Sequence, residues 1–101
     1  MGKDQKQEWI DYSKTISVSH IKNSYNHPTS FQSEFNVVLN EIIEKNQLTS
    51  AIEIGCEAGI SLMLLNSVLV KSTFLDYDPT ILEKVTVAVS ELNLKGTDCI
   101  C

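Results

Sequence analysis

The chain has 101 residues, 43% of them hydrophobic, and a net charge of −5. That length supports one small domain, and that composition excludes an intrinsically disordered chain. The acidic balance argues against a nucleic-acid partner, because phosphates are held by lysine and arginine, and no apolar run approaches the ~20 residues that span a bilayer.

Met1 to Glu8 is polar with no apolar stretch behind it, which predicts a chain without a secretory signal. Gly2 opens a myristoylation pattern that fails at Lys6, where serine or threonine is required. Three cysteines (Cys56, Cys99 and Cys101) without an export signal fit reduced thiols, so a cytoplasmic location and no membrane partner are expected. Residues 1–28 read as a leader, polar with scattered Trp9, Ile10, Tyr12, Ile16, Val18, Ile21 and Tyr25. Their spacing allows one short helix around Gln5–Lys14. His20 and His27 read as loop residues.

Asn26-His27-Pro28-Thr29-Ser30 is a break, since the residue before proline is biased to extended geometry. Thr29 then caps a helix, with Gln32 in capping-box position. Phe31, Phe35, Val38, Leu39, Ile42 and Ile43 form an apolar stripe of helical period, and Asn46-Gln47 ends it. Ala51–Ile54 is a short β-type run closed by Gly55, and Gly55 to Gly59 is a tight turn. Ile60 to Val70 is apolar almost all round, which predicts a helix packed on a sheet and covered again. Ser72–Leu75 reads as a second strand ending at Asp76-Tyr77. Asp78 as N-cap and Pro79 at the first helical position open a helix striped by Ile81, Leu82, Val85, Ala88, Val89 and Leu92. After Gly96, Thr97–Cys101 reads as a third strand.

Strands alternating with helices predict right-handed βαβ units and parallel pairing. The fold class is therefore α/β: a partial doubly wound, Rossmann-like parallel sheet of three strands, over residues 29–101, behind an N-terminal helical leader. It is half of a doubly wound fold, so the sequence reads as the front part of a domain whose sheet is poorly shielded.

Two features fall at the carboxyl ends of strands, where such sheets place ligands. Gly55 lets the backbone turn and a ligand approach without meeting a Cβ, and the next helix presents its N-terminal amides. Asp76 lies 21 positions after Gly55, at the end of the next strand, where a carboxylate can accept from ribose hydroxyls. NAD, ATP and S-adenosylmethionine (SAM) are the candidates. A dinucleotide fingerprint wants glycine where Glu57 and Ile60 stand, and Glu57 would repel a pyrophosphate. No phosphate-binding G-x-x-x-x-G-K-[ST] pattern exists. SAM has no phosphate and carries a cationic sulfonium and amino group, which an acidic loop favours. Cys99 and Cys101 lack partners at zinc-ligand spacing, so no metal is expected.

Glu53-Ile54-Gly55-Cys56-Glu57-Ala58-Gly59 resembles the first motif of the class I SAM-dependent methyltransferases, and Phe74-Leu75-Asp76-Tyr77-Asp78-Pro79 resembles the second. The chain departs from the family at Glu57, where a glycine is usual. The resemblance implies that Gly55 and Gly59 line the methionine part of SAM and that Glu53 supports the loop. It implies that Asp76 grips the ribose hydroxyls, that Tyr77 flanks the adenine, and that a leader folded over the cofactor brings Tyr25 or His27 to it. Cys56 belongs to the same cofactor loop, although a small buried residue is its simplest role. The family's strand order, third-second-first-fourth, makes Ala51–Ile54 an exposed edge and a template for self-association. The implied activity is methyl transfer from SAM to an unidentified acceptor, with no catalytic base assigned and the isolated chain inactive. A non-catalytic binding or dimerisation module is the alternative. A nucleotide-dependent oxidoreductase is disfavoured by Glu57.

Overall fold

The computed structural model describes residues 5–101, apart from the side chains of Lys6 and Trp9. Of the polar start read over Met1–Glu8 and the failed acylation pattern from Gly2 to Lys6, the first four residues lie outside the described residues. The leader holds two helices where the sequence suggested one: α1 (Gln5–Thr15) and α2 (Val18–Asn26). Ser17 separates them and caps α2, its hydroxyl accepting from the His20 amide at 3.0 Å. Ile21 is fully buried, and Tyr25, one turn on, packs beside the same core. His20 is therefore helical, while His27 forms the C-cap of α2.

Helix α3 (Ser30–Asn46) starts at Thr29, whose hydroxyl accepts from the Gln32 amide at 3.1 Å. The second arm of the expected capping box is missing. Gln32 instead donates its side-chain amide to Asn36 and to the Ser61 hydroxyl. Asn36 donates to the Ser61 carbonyl at 3.0 Å and is itself buried. These polar anchors turn the expected stripe outward: Ile43 is buried and Leu39 half-buried, but Phe31, Phe35, Val38 and Ile42 are exposed.

Strands β1 (Ser50–Ile54), β2 (Lys71–Leu75) and β3 (Thr97–Ile100) form one sheet in the order β1-β2-β3, every pair parallel. The chain is thus α/β with a three-stranded, all-parallel, partial Rossmann-like sheet. The register aligns Ile52 with Thr73 and Asp98, and Ile54 with Leu75 and Ile100. Strand β1 is an edge, as the strand order predicted.

Helix α4 is shorter than expected, Ile60–Leu64 rather than Ile60 to Val70. Beyond it the chain winds through i to i−3 bonds, such as Asn66 N–H to the Met63 carbonyl. The Asn66 side chain leaves the helical path to donate to the Lys95 carbonyl at 2.7 Å. Val70 and Lys71 then both donate to the Thr49 carbonyl, which starts β2. Helix α5 (Pro79–Glu91) runs as predicted, with Asp78 as its N-cap.

Helix α4 lies against β1 and β2, α5 against β3, and α1 and α2 against α5. Phe74, Met63, Ile81, Val85 and Ile21 fill the space between these layers. All this cover is on one face of the sheet. The other face presents Ile52, Ile54 and Ile100, each at least about half exposed. Parallel sheets are ordinarily covered on both sides. Among the described residues, no helix is long and apolar enough to cross a membrane.

Candidate functional site

The turn after β1 is held by β2. Gly55 N–H and Cys56 N–H both donate to the Leu75 carbonyl, at 2.7 and 3.1 Å. Gly55 and Gly59 take left-handed φ values of 68° and 71°, and Glu57 between them also lies at 50°, a conformation that favours glycine. The Asp76 carboxylate stabilises this turn: Oδ2 accepts from Glu57 N–H at 3.2 Å, and Oδ1 accepts from Asp78 N–H at 3.0 Å. One buried side chain at the end of β2 therefore braces both loops. Asp78 caps α5 through Oδ1, which accepts from Thr80 N–H at 2.9 Å, while its Oδ2 is buried without a partner among the described residues.

A cleft of about 170 Å³ opens over these loops. Gly55 and Glu57 line it from the first turn, Asp76, Tyr77 and Asp78 from the second, and Ile81 from α5. Tyr12, Ser13 and Ile16 form the opposite wall. Lys84 of α5 fixes that wall by donating from Nζ to the Ser13 and Lys14 carbonyls, at 2.8 and 3.3 Å. This volume is below the roughly 300 Å³ at which small-molecule pockets usually begin, so it encloses only part of a cofactor-sized ligand. A second hollow of about 350 Å³ lies across Gly55, Asp76 and Tyr77 on the uncovered side, where Ile54, Leu75 and Cys101 make it almost wholly apolar.

The cleft brings together some of the residues singled out in the sequence and leaves out others. Gly55, Asp76 and Tyr77 line it. Glu53 points into the helical layer and is half-buried. Burial raises its carboxyl pKa, a backbone hydrogen bond at Leu62 opposes that rise, and the Glu57 charge adds to it. At Gly59 an added Cβ would stand 2.8 Å from the Phe74 ring, so this glycine makes room for the core. Tyr25 packs on the core and His27 is exposed, and the leader reaches the cleft through Tyr12, Ser13 and Ile16 instead. Sequence spacing carried a trace of that wall, with Tyr12 and Ile16 four apart.

Cys56 is buried in the core, and its thiol is pushed up to about 12, first by burial and then by the Asp76 and Glu53 charges. Since the thiolate is the reactive form, iodoacetamide at pH 8 is expected to label exposed Cys101 and spare Cys56 in the folded chain. Mass spectrometry of the labelled peptides checks this, and early labelling at Cys56 would show that the turn opens.

Chemically, the cleft offers carboxylates at Glu57, Asp76 and Asp78, with no lysine, arginine or histidine among its described lining residues. Such a lining suits hydroxyl, amino or cationic groups and repels phosphates. Among the described residues, no group of three or more His, Cys, Asp or Glu is placed to hold a metal ion. No protein-family model matches this sequence, and no curated protein matches it.

Proposed function

We propose that the cleft binds SAM and that the chain is the cofactor-binding part of a methyltransferase. The observation that carries this reading is an acidic cleft, without a cation among its described lining residues, at the carboxyl ends of two adjacent parallel strands. The ribose would lie at Asp76, the adenine beside Tyr77, and the methionine end over Gly55 towards the open edge of β1. Methyl transfer would be an in-line displacement at the sulfonium carbon, with the protein contributing mainly alignment of donor and acceptor. Free thiols at Cys56, Cys99 and Cys101 suit a cytoplasmic setting.

The edge at β1 leaves the cofactor without a wall on one side, so the isolated chain would bind SAM weakly and transfer no methyl group. That same edge and the bare face of Ile52, Ile54 and Ile100 favour a second reading, a non-catalytic binding or dimerisation module.

Thermal denaturation with SAM, S-adenosylhomocysteine and NAD tests the leading reading. A ligand at a hundredfold excess over its Kd stabilises the folded chain by about 2.7 kcal/mol. In a domain of this size, that raises the midpoint by roughly 10 °C or more. The expected result is a rise with SAM and S-adenosylhomocysteine and none with NAD. A rise with NAD alone would reverse the assignment.

A further inference from the structure

Strand β1 ends the sheet, and its outer side pairs with no strand among the described residues. In a parallel pair the residues of a strand alternate. One bonds its neighbour through both N–H and C=O, and the next turns both groups away. Two bonds to β2 fix the phase: Thr49 C=O accepts from Lys71 N–H, and Gly55 N–H donates to Leu75 C=O. Thr49, Ala51, Glu53 and Gly55 therefore face β2, while Ser50, Ile52 and Ile54 turn their amides and carbonyls outward. The same three residues are exposed on the bare face, Ile52 by 56% and Ile54 by 77%. Open strand edges recruit other chains, and proteins block them with charge, proline or bulges. The opposite edge, β3, carries Asp98, ion-paired with Lys71 at 3.3 Å. Strand β1 has neither proline nor lysine, and its one charged residue, Glu53, points into the helical layer.

We propose that β1 pairs antiparallel with β1 of a second copy, about a two-fold axis that sets Ile52 opposite Ile52. In this register Ser50 lies opposite Ile54, so all three outward residues of each strand exchange N–H and C=O bonds. Sliding the strands by two residues leaves an outward residue of each beyond the end of the other. Ile52 meets Ile52 on the bare face and Glu53 meets Ala51 on the other, so no like charges stand directly opposite. With the axis perpendicular to the sheet, both helical layers stay on one side and the assembly closes at two chains. An edge of five residues falls short of a standard interface of about 800 Å² per partner, so the dimer is expected to dissociate on dilution. The inference rests on the second reading above, the dimerisation module, and names its partner.

Sedimentation equilibrium on the full chain without ligand reads the mass, with circular dichroism melts to check folding. The wild-type mass is expected to rise from 11.3 kDa towards twice that value as concentration increases. Ile52→Pro removes an outward N–H and no bond to β2. Ile52→Lys and Ile52→Glu each place like charges opposite one another in the dimer. Each variant alone is expected to be a folded monomer, and an equimolar mixture of the Lys and Glu variants to dimerise again. If the proline variant does not melt cooperatively, the charge pair decides. Ile100→Lys, on the same face but two strands away, is expected to dimerise like wild type. A mixture that stays monomeric, or a dimer that persists in Ile52→Pro, overturns this pairing and leaves the dimerisation reading intact. Loss of the dimer in Ile100→Lys but not in Ile52→Pro also overturns it, in favour of stacked bare faces. A wild-type chain that stays monomeric at about 1 mM overturns this pairing and the dimerisation reading together.

Discussion

Gly59→Val is expected to abolish cooperative folding. The position has φ 71°, and an added Cβ would lie 2.8 Å from two carbons of the Phe74 ring. That ring is fully buried at the centre of the sheet, so it has no free space to move into. Backbone strain of about 1–3 kcal/mol for a side chain at positive φ adds to about 1–3 kcal/mol for overpacking. Small domains are stable by only about 5–15 kcal/mol, and short ones lie near the lower limit. Gly55→Ala is the comparison, because a Cβ there meets nothing within 4 Å and carries only the φ cost, about 1 kcal/mol. Circular dichroism melts of both variants decide the matter. A sharp Gly59→Val transition within a few degrees of wild type would show that Phe74 is not the obstacle.

Asp76→Ala is expected to lose stability and ligand binding together. Its carboxylate serves two amides from two loops, and removing it leaves both without an acceptor in a mostly buried place. Hydrogen bonds to a charged group contribute about 1.5–3 kcal/mol each, and part is recovered by water reaching the partly exposed turn. A net loss of about 3 kcal/mol is the expected urea-unfolding result, with SAM binding reduced at least tenfold. Asp76→Asn, which keeps one carbonyl acceptor, should fall between the two. A loss below about 1 kcal/mol in Asp76→Ala would mean that the loops hold their shape without the brace.

Much of the architecture was legible because its signals are local. Each strand is a short run with an apolar core, and Gly55 and Asp76 punctuate the first two. The observed β1 and β2 begin only one residue earlier than read, at Ser50 and Lys71. Asp78-Pro79 carries its own capping chemistry, and the structure shows that cap. What was illegible depends on contacts between distant residues. Helix α4 ends early because Asn66 bonds to Lys95, and no pattern within Ile60–Val70 announces that bond. The stripe of α3 turns outward because Gln32 and Asn36 find Ser61, a preference for polar contacts that apolar periodicity does not record. Helix α2 was the exception, since Ser17 followed by Val18, Ile21 and Tyr25 is a local signal that the scattered leader obscured. The site divides the same way. Gly55, Asp76 and Tyr77 sit where strand ends must place them, whereas Tyr12, Ser13 and Ile16 reach the cleft through the tether from Lys84.

The sheet order β1-β2-β3 repeats the order of the strands along the chain. No strand has to wait for a partner from a remote part of the sequence, so each closure brings together ends separated by a single helical connection. The entropy lost in such closures grows only slowly with loop length, and topologies built from near-neighbour pairings fold faster than those that reach across the chain. Parallel sheets as a class are slow to assemble, and this one is relieved of part of that penalty. It can grow during synthesis by adding one strand at a time to the edge last completed, with β2 becoming the interior strand as soon as β3 arrives.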